Sequence, residues 1–227
     1  MPPVPFTGPP GTFAGALTPA ERDRLAQDGR HRRFPRGATL FNEGERSDRV
    51  VILLTGRVKV SYFTENGKEA VLAIRSSGDI LGELSALDGE PRSATATVLE
   101  PVEALVLTVG QFRDFLCAHP RMALGLLEML SRRLRDADRK RVEFGAYDSV
   151  GRVARRLVEL AEDFGVPDRG GVRITLSLSQ EELAGWVGAS RKAVGNALRW
   201  LRGRGLVETG RRSITIRDVE GLRKRAT

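Results

Sequence analysis

The 227-residue sequence contains only one cysteine, Cys117, and two histidines, His31 and His119. A disulfide framework, a thiolate-bound iron–sulfur cluster and a structural zinc site each need more ligands than these residues supply. No paired carboxylates or Ser/His/Asp set are evident either, so we expect neither a metal site nor a catalytic site. Cys117 is expected to be a buried apolar residue at the end of a helix.

Long apolar runs are also missing. No stretch approaches the roughly 18 apolar residues that indicate a membrane-spanning helix. The N-terminus "MPPVPFTGPPGTFAGA" lacks the basic start and apolar core of a signal peptide, so we expect a cytoplasmic protein. Its proline and glycine content is typical of a disordered tail, which we place at residues 1–17.

Acidic residues are too few to balance the basic ones. The net charge is +8 and the isoelectric point is near 10.4, which suggests a polyanionic partner, either nucleic acid or a membrane surface. Six of the eight net positive charges fall in residues 148–227. This shift predicts a domain boundary near "YDSVGR" and a basic C-terminal domain.

The pattern of residues 30–108 is that of short strands. Runs rich in β-branched residues, such as "RVVILLTGRVKVSYF" and "SATATVLEPVEALVLTV", are separated by glycines at near-even spacing. This spacing predicts an antiparallel sandwich or barrel. A helix precedes it, because Thr18 is a suitable N-cap, Pro19 suits the first helical position and Glu21 would close a capping box.

A long helical pattern follows in "RMALGLLEMLSRRLRDADRKRVEFGAY". One side of this helix carries residues at alternating spacings of three and four, with charged residues on the flanks. Such a narrow seam predicts a homodimer built by two facing helices, and the alternative is a helix that lies along its own β domain. The predicted dimer interface comprises Leu127, Leu130, Leu134, Ala137, Arg141 and Phe144.

The segment "LSQEELAGWVGASRKAVGNALRWLRGRGL" has the pattern of a helix-turn-helix. Ser179 and Glu182 would form a capping box at the start of the first helix. Gly188 permits the left-handed turn between the helices, and Ser190 would cap the second helix. The following "LVETG" and "RRSITIR" predict a hairpin with a glycine–arginine turn, which would form a wing.

The second helix of such a unit places its first residues against base edges in the major groove of DNA. Arg191 could hold guanine and Asn196 could hold adenine bidentately, whereas Arg211 on the wing suits phosphates. A solvated basic helix in an ordinary small domain is the alternative. The complete predicted DNA-binding set is Ser179, Gln180, Ser190, Arg191, Lys192, Asn196, Arg199, Arg211 and Arg212.

The order of a β domain, a seam helix and a winged helix-turn-helix resembles the cyclic AMP receptor protein/FNR (Crp/Fnr) family of transcription regulators. The resemblance covers about residues 18–220 and is carried by "GELSALDGEPRSATA", "SRRLRDADRK" with "DSVGRVARRL", and "QEELAGWVGASRKAVGNAL". It implies an α+β protein. The implied parts are an antiparallel, jelly-roll-like β-roll that binds a cyclic nucleotide at residues 18–117, a dimerisation helix at 118–147 and a winged helix-turn-helix at 148–227. Double-stranded DNA and RNA polymerase are the implied macromolecular partners.

The resemblance also implies that "GELSALDGEPRSA" is a phosphate-binding cassette. Glu83 would accept from the ribose 2′-OH, Arg92 and Ser93 would bind the cyclic phosphate, and Gly82 would let the backbone approach closely. A surface ion pair between Glu83 and Arg92 is the alternative. The complete implied ligand set is Gly82, Glu83, Leu84, Arg92, Ser93, Ala94, Ala137 and Asp138.

Two departures from the family pattern bear on the effector and the operator. Family members that respond to cyclic AMP have hydroxyl residues at the adenine edge, where this chain has Ala137 and Asp138. Ala137 cannot hydrogen-bond a base, and Asp138 could accept only from an exocyclic amine or pair with Arg141. Lys192 replaces a glutamate that can accept from cytosine, so the operator should differ.

Cyclic AMP is the expected effector, with no obligatory cofactor. Two alternatives stay open at this point. One is a regulator that binds DNA without cyclic AMP, with no ligand or with another such as a cyclic dinucleotide. The other is a cyclic-nucleotide-binding module that acts on a protein partner.

Overall fold

The structure is a computed structural model that describes residues 6–176, 178–210 and 212–226, with the side chain of Phe144 left out. The chain divides into two compact units. The first unit comprises Met1–Phe63 and Val71–Arg135, and the second comprises Thr64–Ala70 and Asp136–Thr227. The predicted phosphate-binding cassette lies in the first unit and the predicted helix-turn-helix in the second.

The first unit is built on one six-stranded antiparallel sheet with helices beside it. Its strand order is β1-β6-β3-β4, with β2 also paired to β6 and β5 to β3. The strands are β1 (Arg30–Phe34), β2 (Thr39–Phe41), β3 (Arg49–Phe63), β4 (Glu69–Arg75), β5 (Ile80–Leu81) and β6 (Thr95–Thr108). The helices are α1 (Pro19–Asp28), α2 (Glu83–Asp88), α3 (Val109–Ala118) and α4 (Pro120–Ala146), the last of which crosses the boundary between the units.

Both faces of the long strands β3 and β6 are buried, which explains why their sequences look continuously apolar. On β3, Val50 and Ile52 belong to a core cluster that includes residues of α1, α3 and α4. Val51 and Leu53 alternate with them and belong to a second cluster with Phe41 of β2. The alternation follows from the period of two in a strand.

The prediction that residues 1–17 form a disordered tail is wrong for residues 6–17, the part of this segment that the structure describes. Phe13 and Leu17 are buried in the first core cluster, and Ala14 is fully buried between them. The prediction rested on proline and glycine content, but these apolar side chains, one to four residues apart, pack against residues of the more distant helices α3 and α4. Residues 1–5 lie outside the described residues.

The helix ends of the first unit confirm one local prediction and contradict another. The capping box of α1 is confirmed, because Thr18 accepts from the backbone N–H of Glu21 and the Glu21 carboxylate accepts from the N–H of Thr18. Cys117 lies near the end of α3 as expected, but it is exposed rather than buried. Pro120 is the first residue of α4.

Within its described residues, the second unit contains four further helices and a small antiparallel sheet of order β7-β8-β10-β9. The helices are α5 (Ser149–Phe164), α6 (Gln180–Val187), α7 (Arg191–Gly203) and α8 (Val219–Arg225). The strands are β7 (Gly165–Asp168), β8 (Gly171–Ile174), β9 (Val207–Gly210) and β10 (Ser213–Ile216). The predicted wing is therefore β9 and β10, and the hairpin β7–β8 extends its sheet.

The predicted fold class, α+β with an antiparallel sheet, a long helix and a C-terminal helix-turn-helix, is confirmed. None of the helices within the described residues combines the length and apolar character that a membrane crossing requires.

Candidate functional site

The cassette in the first unit is organised by Gly82. Its φ of +81° is in the left-handed region, and it is the N-cap of the short helix α2. A Cβ atom on Gly82 would lie 2.2 Å from Nη1 of Arg92, so a side chain is excluded by conformation and by space together. Glycine here brings the backbone next to the guanidinium, while its close approach to a bound ligand stays a prediction.

Arg92 is buried, with only 3% of its surface exposed. Its Nη1 donates to the carbonyl of Gly82 at 3.0 Å and its Nη2 donates to the carbonyl of Arg49 at 2.5 Å. The guanidinium stacks over the ring of Phe41 at 4.3 Å. Its Nε is buried and has no hydrogen-bond partner among the described residues.

The charge of Arg92 is poorly compensated. Burial lowers the pKa of its guanidinium, and the carboxylate of Asp48 is the largest opposing influence. That carboxylate is 3.8 Å away and largely exposed to solvent. The charges of Glu45 and Glu83 also act on Arg92, but within the described residues its hydrogen bonds go to two carbonyls and not to a carboxylate. A buried cation without a hydrogen-bonded anion is costly, so this position favours an anionic ligand.

Glu83 is also buried but does not pair with Arg92 as the surface ion-pair alternative required. Its Oε1 accepts from Nη1 of Arg133 at 2.6 Å, and Nη2 of Arg133 reaches Asp79 at 3.3 Å. Arg133 was missed as a site residue, although it lies one helical turn before Ala137 on the same face of α4. That spacing was the available signal.

The other predicted ligand residues are less closely grouped. Leu84 is exposed on α2, Ser93 is exposed after Arg92, and Ala94 is buried. Ala137 and Asp138 are exposed and belong to the second unit, so their role toward a ligand stays a prediction.

The predicted dimer seam on α4 has an exposed apolar side. Leu127 and Leu134 are 58% and 64% exposed, whereas Leu130 packs against the first core cluster. Ala137 and Arg141 are exposed, so Arg141 needs no buried partner in the single chain. The side chain of Phe144 lies outside the described residues. Leu124, at 62% exposed, extends the same side and was missed.

The helix-turn-helix forms as its local signals predicted. Ser179 and Glu182 make the expected capping box on α6. Gly188 ends α6 in the left-handed conformation at φ +58°, and Ser190 caps α7 by accepting from the N–H of Ala193. Both serine hydroxyls serve as caps, and their contacts with DNA stay a prediction.

The exposed side of α7 forms an open groove with a strongly basic lining. Asn196 accepts from Nη2 of Arg199, so these two predicted DNA-binding residues are in contact with each other. Arg202 joins this groove and donates to Thr209 of the wing at 3.2 Å, although it was not predicted. The groove is lined by Gln180, Arg191, Lys192, Gly195, Asn196, Arg199 and Arg202.

The wing lies beside the start of α7. A second groove brings Ser179, Gln180 and Arg191 together with Arg212. Arg212 is exposed in the turn at φ +54°. Arg211, the other predicted wing contact, lies outside the described residues.

Helix α5, which the pattern analysis did not identify, supports the helix-turn-helix from behind. Nε of Arg152 donates to the carbonyl of Val187 at the end of α6 at 3.1 Å. The buried guanidinium of Arg156 lies 5.2 Å over the ring of Trp186, and burial lowers its pKa. These contacts hold α6 in place, and α6 in turn sets the position of α7.

Across residues 6–176, 178–210 and 212–226, no three His, Cys, Asp or Glu side chains group closely enough to hold a metal ion. The structure thus offers two candidate sites. One is the cassette of the first unit, with buried Glu83 and Arg92, and the other is the basic groove of α7 with the wing beside it.

Comparison with known proteins finds a family match for the stretch that holds each site. Residues 31–119 match the cyclic nucleotide-binding domain family, and residues 151–225 match the Crp-like helix-turn-helix domain. The chain is 39% identical over 193 residues to the CRP-like cAMP-activated global transcriptional regulator of Mycobacterium tuberculosis strain H37Rv, covering 85% of this chain and 86% of that protein.

Solved structures agree with this relationship. A CRP-family transcriptional regulator of Thermus thermophilus superposes with a TM-score of 0.73 at 26% identity, covering 86% of this chain and 96% of that one. The c-di-GMP responsive global regulator CLP of Xanthomonas campestris has a TM-score of 0.80 at 22% identity, covering 88% of this chain and 99% of that one. The latter likeness concerns the fold.

Proposed function

The chain belongs to the Crp/Fnr family of transcription regulators, and on this premise we propose that a cyclic nucleotide bound by the first unit controls DNA binding by a homodimer. The single observation that carries the proposal is the state of Arg92. Its guanidinium is buried, stacked on Phe41 and hydrogen-bonded to two carbonyls, with Nε unpartnered among the described residues and the exposed carboxylate of Asp48 3.8 Å from Nη2.

A cyclic phosphate completes this arrangement. Its charge would replace the solvent that Arg92 has lost, and a charge-assisted bond of this kind is stronger than one to a neutral acceptor. Glu83, buried nearby and oriented by Arg133, would accept from the ribose 2′-OH. Phosphate and sugar are thus recognised by residues of opposite charge in one short segment.

Cyclic AMP is the effector that we propose. The name of the Mycobacterium relative gives cyclic AMP as its activator. In this chain the carboxylate of Asp138 would accept from the exocyclic amine of adenine, although Ala137 offers no hydrogen bond to the base. Because Asp138 alone would hydrogen-bond the base, we expect the protein to discriminate only weakly between cyclic AMP and other cyclic purine nucleotides.

The DNA-binding face is assigned to α7 and the wing. Arg191 would contact a guanine edge and Asn196 would lie beside it, with Arg212 on phosphate. The exposed Leu127 and Leu134 support dimerisation through α4. A dimer would read a near-palindromic site with half-sites about one helical turn apart. It would act in the cytoplasm, with RNA polymerase as its further partner.

Calorimetric titration tests the effector site. The purified protein is titrated with cyclic AMP, cyclic GMP and cyclic di-GMP, in wild type, Arg92→Ala and Arg57→Ala. Arg57 is the matched control because it lies on the same sheet and pairs with Glu100 at 2.9 Å, away from the cassette. We expect cyclic AMP to bind wild type and Arg57→Ala alike, and Arg92→Ala not to bind.

Equal binding by Arg92→Ala would reject the cassette as the phosphate site. Binding of cyclic di-GMP without cyclic AMP would reject the proposed effector and favour the cyclic dinucleotide alternative. Salt-dependent binding of operator DNA by the ligand-free protein, unchanged by all three nucleotides, would reject control by a cyclic nucleotide.

A further inference from the structure

The N-terminal strap, defined here as residues 8–14, lies against the turn of residues 76–79 that leads into the cassette. The N–H of Ala14 donates to the carbonyl of Gly78 at 3.0 Å. A Cβ atom on Gly8 would lie 2.8 Å from the Cα of Gly78 and 2.6 Å from Oγ1 of Thr12. The two glycines meet with no room for a methyl group, so the strap and the turn are in direct backbone contact.

The turn that the strap covers contains Asp79, which binds Arg133, the partner of Glu83. One carboxylate oxygen of Asp79 closes the turn by accepting from the N–H of Ser76 at 2.9 Å. The other accepts from Nη2 of Arg133 at 3.3 Å, and Nη1 of Arg133 binds Glu83 at 2.6 Å. Asp79 therefore fixes one end of the same guanidinium that orients the buried glutamate.

Helix α4 closes the arrangement from the other side. Nη2 of Arg132 donates to the carbonyl of Gly11 in the strap at 3.3 Å, next to Arg133 on the same helix. Nη1 of Arg121, three turns earlier, donates to the carbonyl of Ala16 just beyond the strap at 3.0 Å. The strap thus touches the helix that supplies Arg133, the partner of Glu83, and the turn whose Asp79 binds the same guanidinium.

We propose that the N-terminal strap is a positioning element of the effector site, which holds Asp79 and Arg133 so that the Glu83 carboxylate meets the ribose 2′-OH. This inference rests on the proposed function and assigns the ribose contact an additional determinant outside the cassette. A group that binds through an oriented partner loses affinity when its supporting contacts loosen. The effect should fall on the sugar contact and spare the phosphate contact of Arg92.

The test adds one methyl group to the strap in the full-length protein. Gly8→Ala places a Cβ atom against Gly78, whereas the control Gly110→Ala adds the same methyl at an exposed position where the nearest atom is 4.0 Å away. Cyclic AMP and its 2′-deoxy analogue are each titrated into wild type and both variants. A hydrogen bond to the charged Glu83 should make wild type favour cyclic AMP on the order of 10- to 100-fold.

We expect Gly8→Ala to reduce this preference by about 3- to 30-fold, the range over which supporting networks change coupling. Gly110→Ala should leave it unchanged. A variant with residues 2–12 deleted, which keeps the buried Phe13 and Ala14, should reduce the preference further. If Gly8→Ala weakens both nucleotides equally or neither, the strap does not position Glu83.

Hydrogen exchange separates this inference from the proposed function. In the ligand-free protein, Gly8→Ala should speed amide exchange in residues 76–88, including the N–H of Ala86 that donates to Gly82. This readout decides the strap's role even if wild type binds no cyclic nucleotide, a result that would reject the proposed function alone. Exchange in residues 76–88 equal to that of Gly110→Ala would overturn the inference.

Discussion

The two glycines that flank α2 offer a matched pair of substitutions. Gly82 and Gly89 both have φ of +81°, one at each end of the same short helix. A Cβ atom on Gly82 would meet Nη1 of Arg92 at 2.2 Å, whereas one on Gly89 would meet nothing within 4 Å. Gly82→Ala and Gly89→Ala therefore share a backbone cost and differ mainly in the collision with Arg92, with a smaller part from the carbonyl of Arg49 at 3.1 Å.

The expected costs follow from these contacts. An alanine in the left-handed region costs about 1–2 kcal/mol, which applies to both variants. Gly82→Ala must also move the guanidinium of Arg92 away from the carbonyls of Gly82 and Arg49, and each bond from a charged donor contributes about 1.5–3 kcal/mol. Because water replaces part of this loss, we expect about 2.5–5 kcal/mol in total for Gly82→Ala.

Urea unfolding followed by far-ultraviolet circular dichroism measures the difference. Both variants should then be repeated in an Arg92→Ala background, where the collision with Arg92 is removed and most of the difference between the two costs should disappear, leaving the 3.1 Å approach to the Arg49 carbonyl and a shared cost of about 1–2 kcal/mol. Calorimetry should show that Gly89→Ala still binds the cyclic nucleotide and that Gly82→Ala does not. Equal losses for Gly82→Ala and Gly89→Ala with Arg92 present would refute the close packing of Arg92 on Gly82.

Three further predictions concern the second unit and α4. Leu134→Asp should give a folded monomer, because the side chain is 64% exposed in the single chain, and a dimer in sedimentation would exclude this interface. Arg191→Ala should cost about 1–3 kcal/mol at one base pair per half-site, whereas Arg212→Ala should weaken all DNA about equally and lower the salt slope by about one; equal effects on operator and scrambled DNA would reject the first assignment. Asp148→Ala should cost about 0.5–2 kcal/mol at pH 7, because Asp148 caps α5. A hydrogen bond from the N–H of Gly151, and to a lesser degree the guanidinium of Arg225, hold the pKa of Asp148 below its ordinary 3.8. The stabilisation that Asp148 gives to the folded state is therefore present above pH 3.8 and lost in acid. A difference in stability between wild type and Asp148→Ala that persists in urea titrations at about pH 2 would contradict this assignment.

Rules that act over a few residues identified much of the second unit. Ser179 and Glu182 are three positions apart and bond to each other in the structure, as do Thr18 and Glu21. Gly188 has the left-handed conformation that its place after an apolar helix predicted. These interactions involve neighbours in the chain, so sequence spacing is sufficient to locate them.

Contacts between distant residues were the ones that sequence reasoning missed. Arg133 is 50 residues from Glu83, and no spacing rule connects a helix to a cassette on another element. Phe13 sits in a segment whose composition is that of a tail, yet it is buried against Phe112 with ring centroids 6.0 Å apart. The prediction that Cys117 is buried was wrong because it rested on the average burial of cysteine, which does not say which side of α3 faces solvent.

The N-terminal strap has a consequence for how the chain is made. Its residues leave the ribosome before α4 does, because the partner of Gly11 is Arg132, 121 positions later. At a synthesis rate of about 5–20 residues per second, the strap waits about 6–24 s before α4 exists to receive it. During that interval the core cluster of Phe13 and Leu17 lacks its α4 members, such as Met122 and Leu126, so a segment that is translated early is secured late. Any fusion partner placed before residue 6 would share that wait, and it would emerge beside the turn that leads to Glu83.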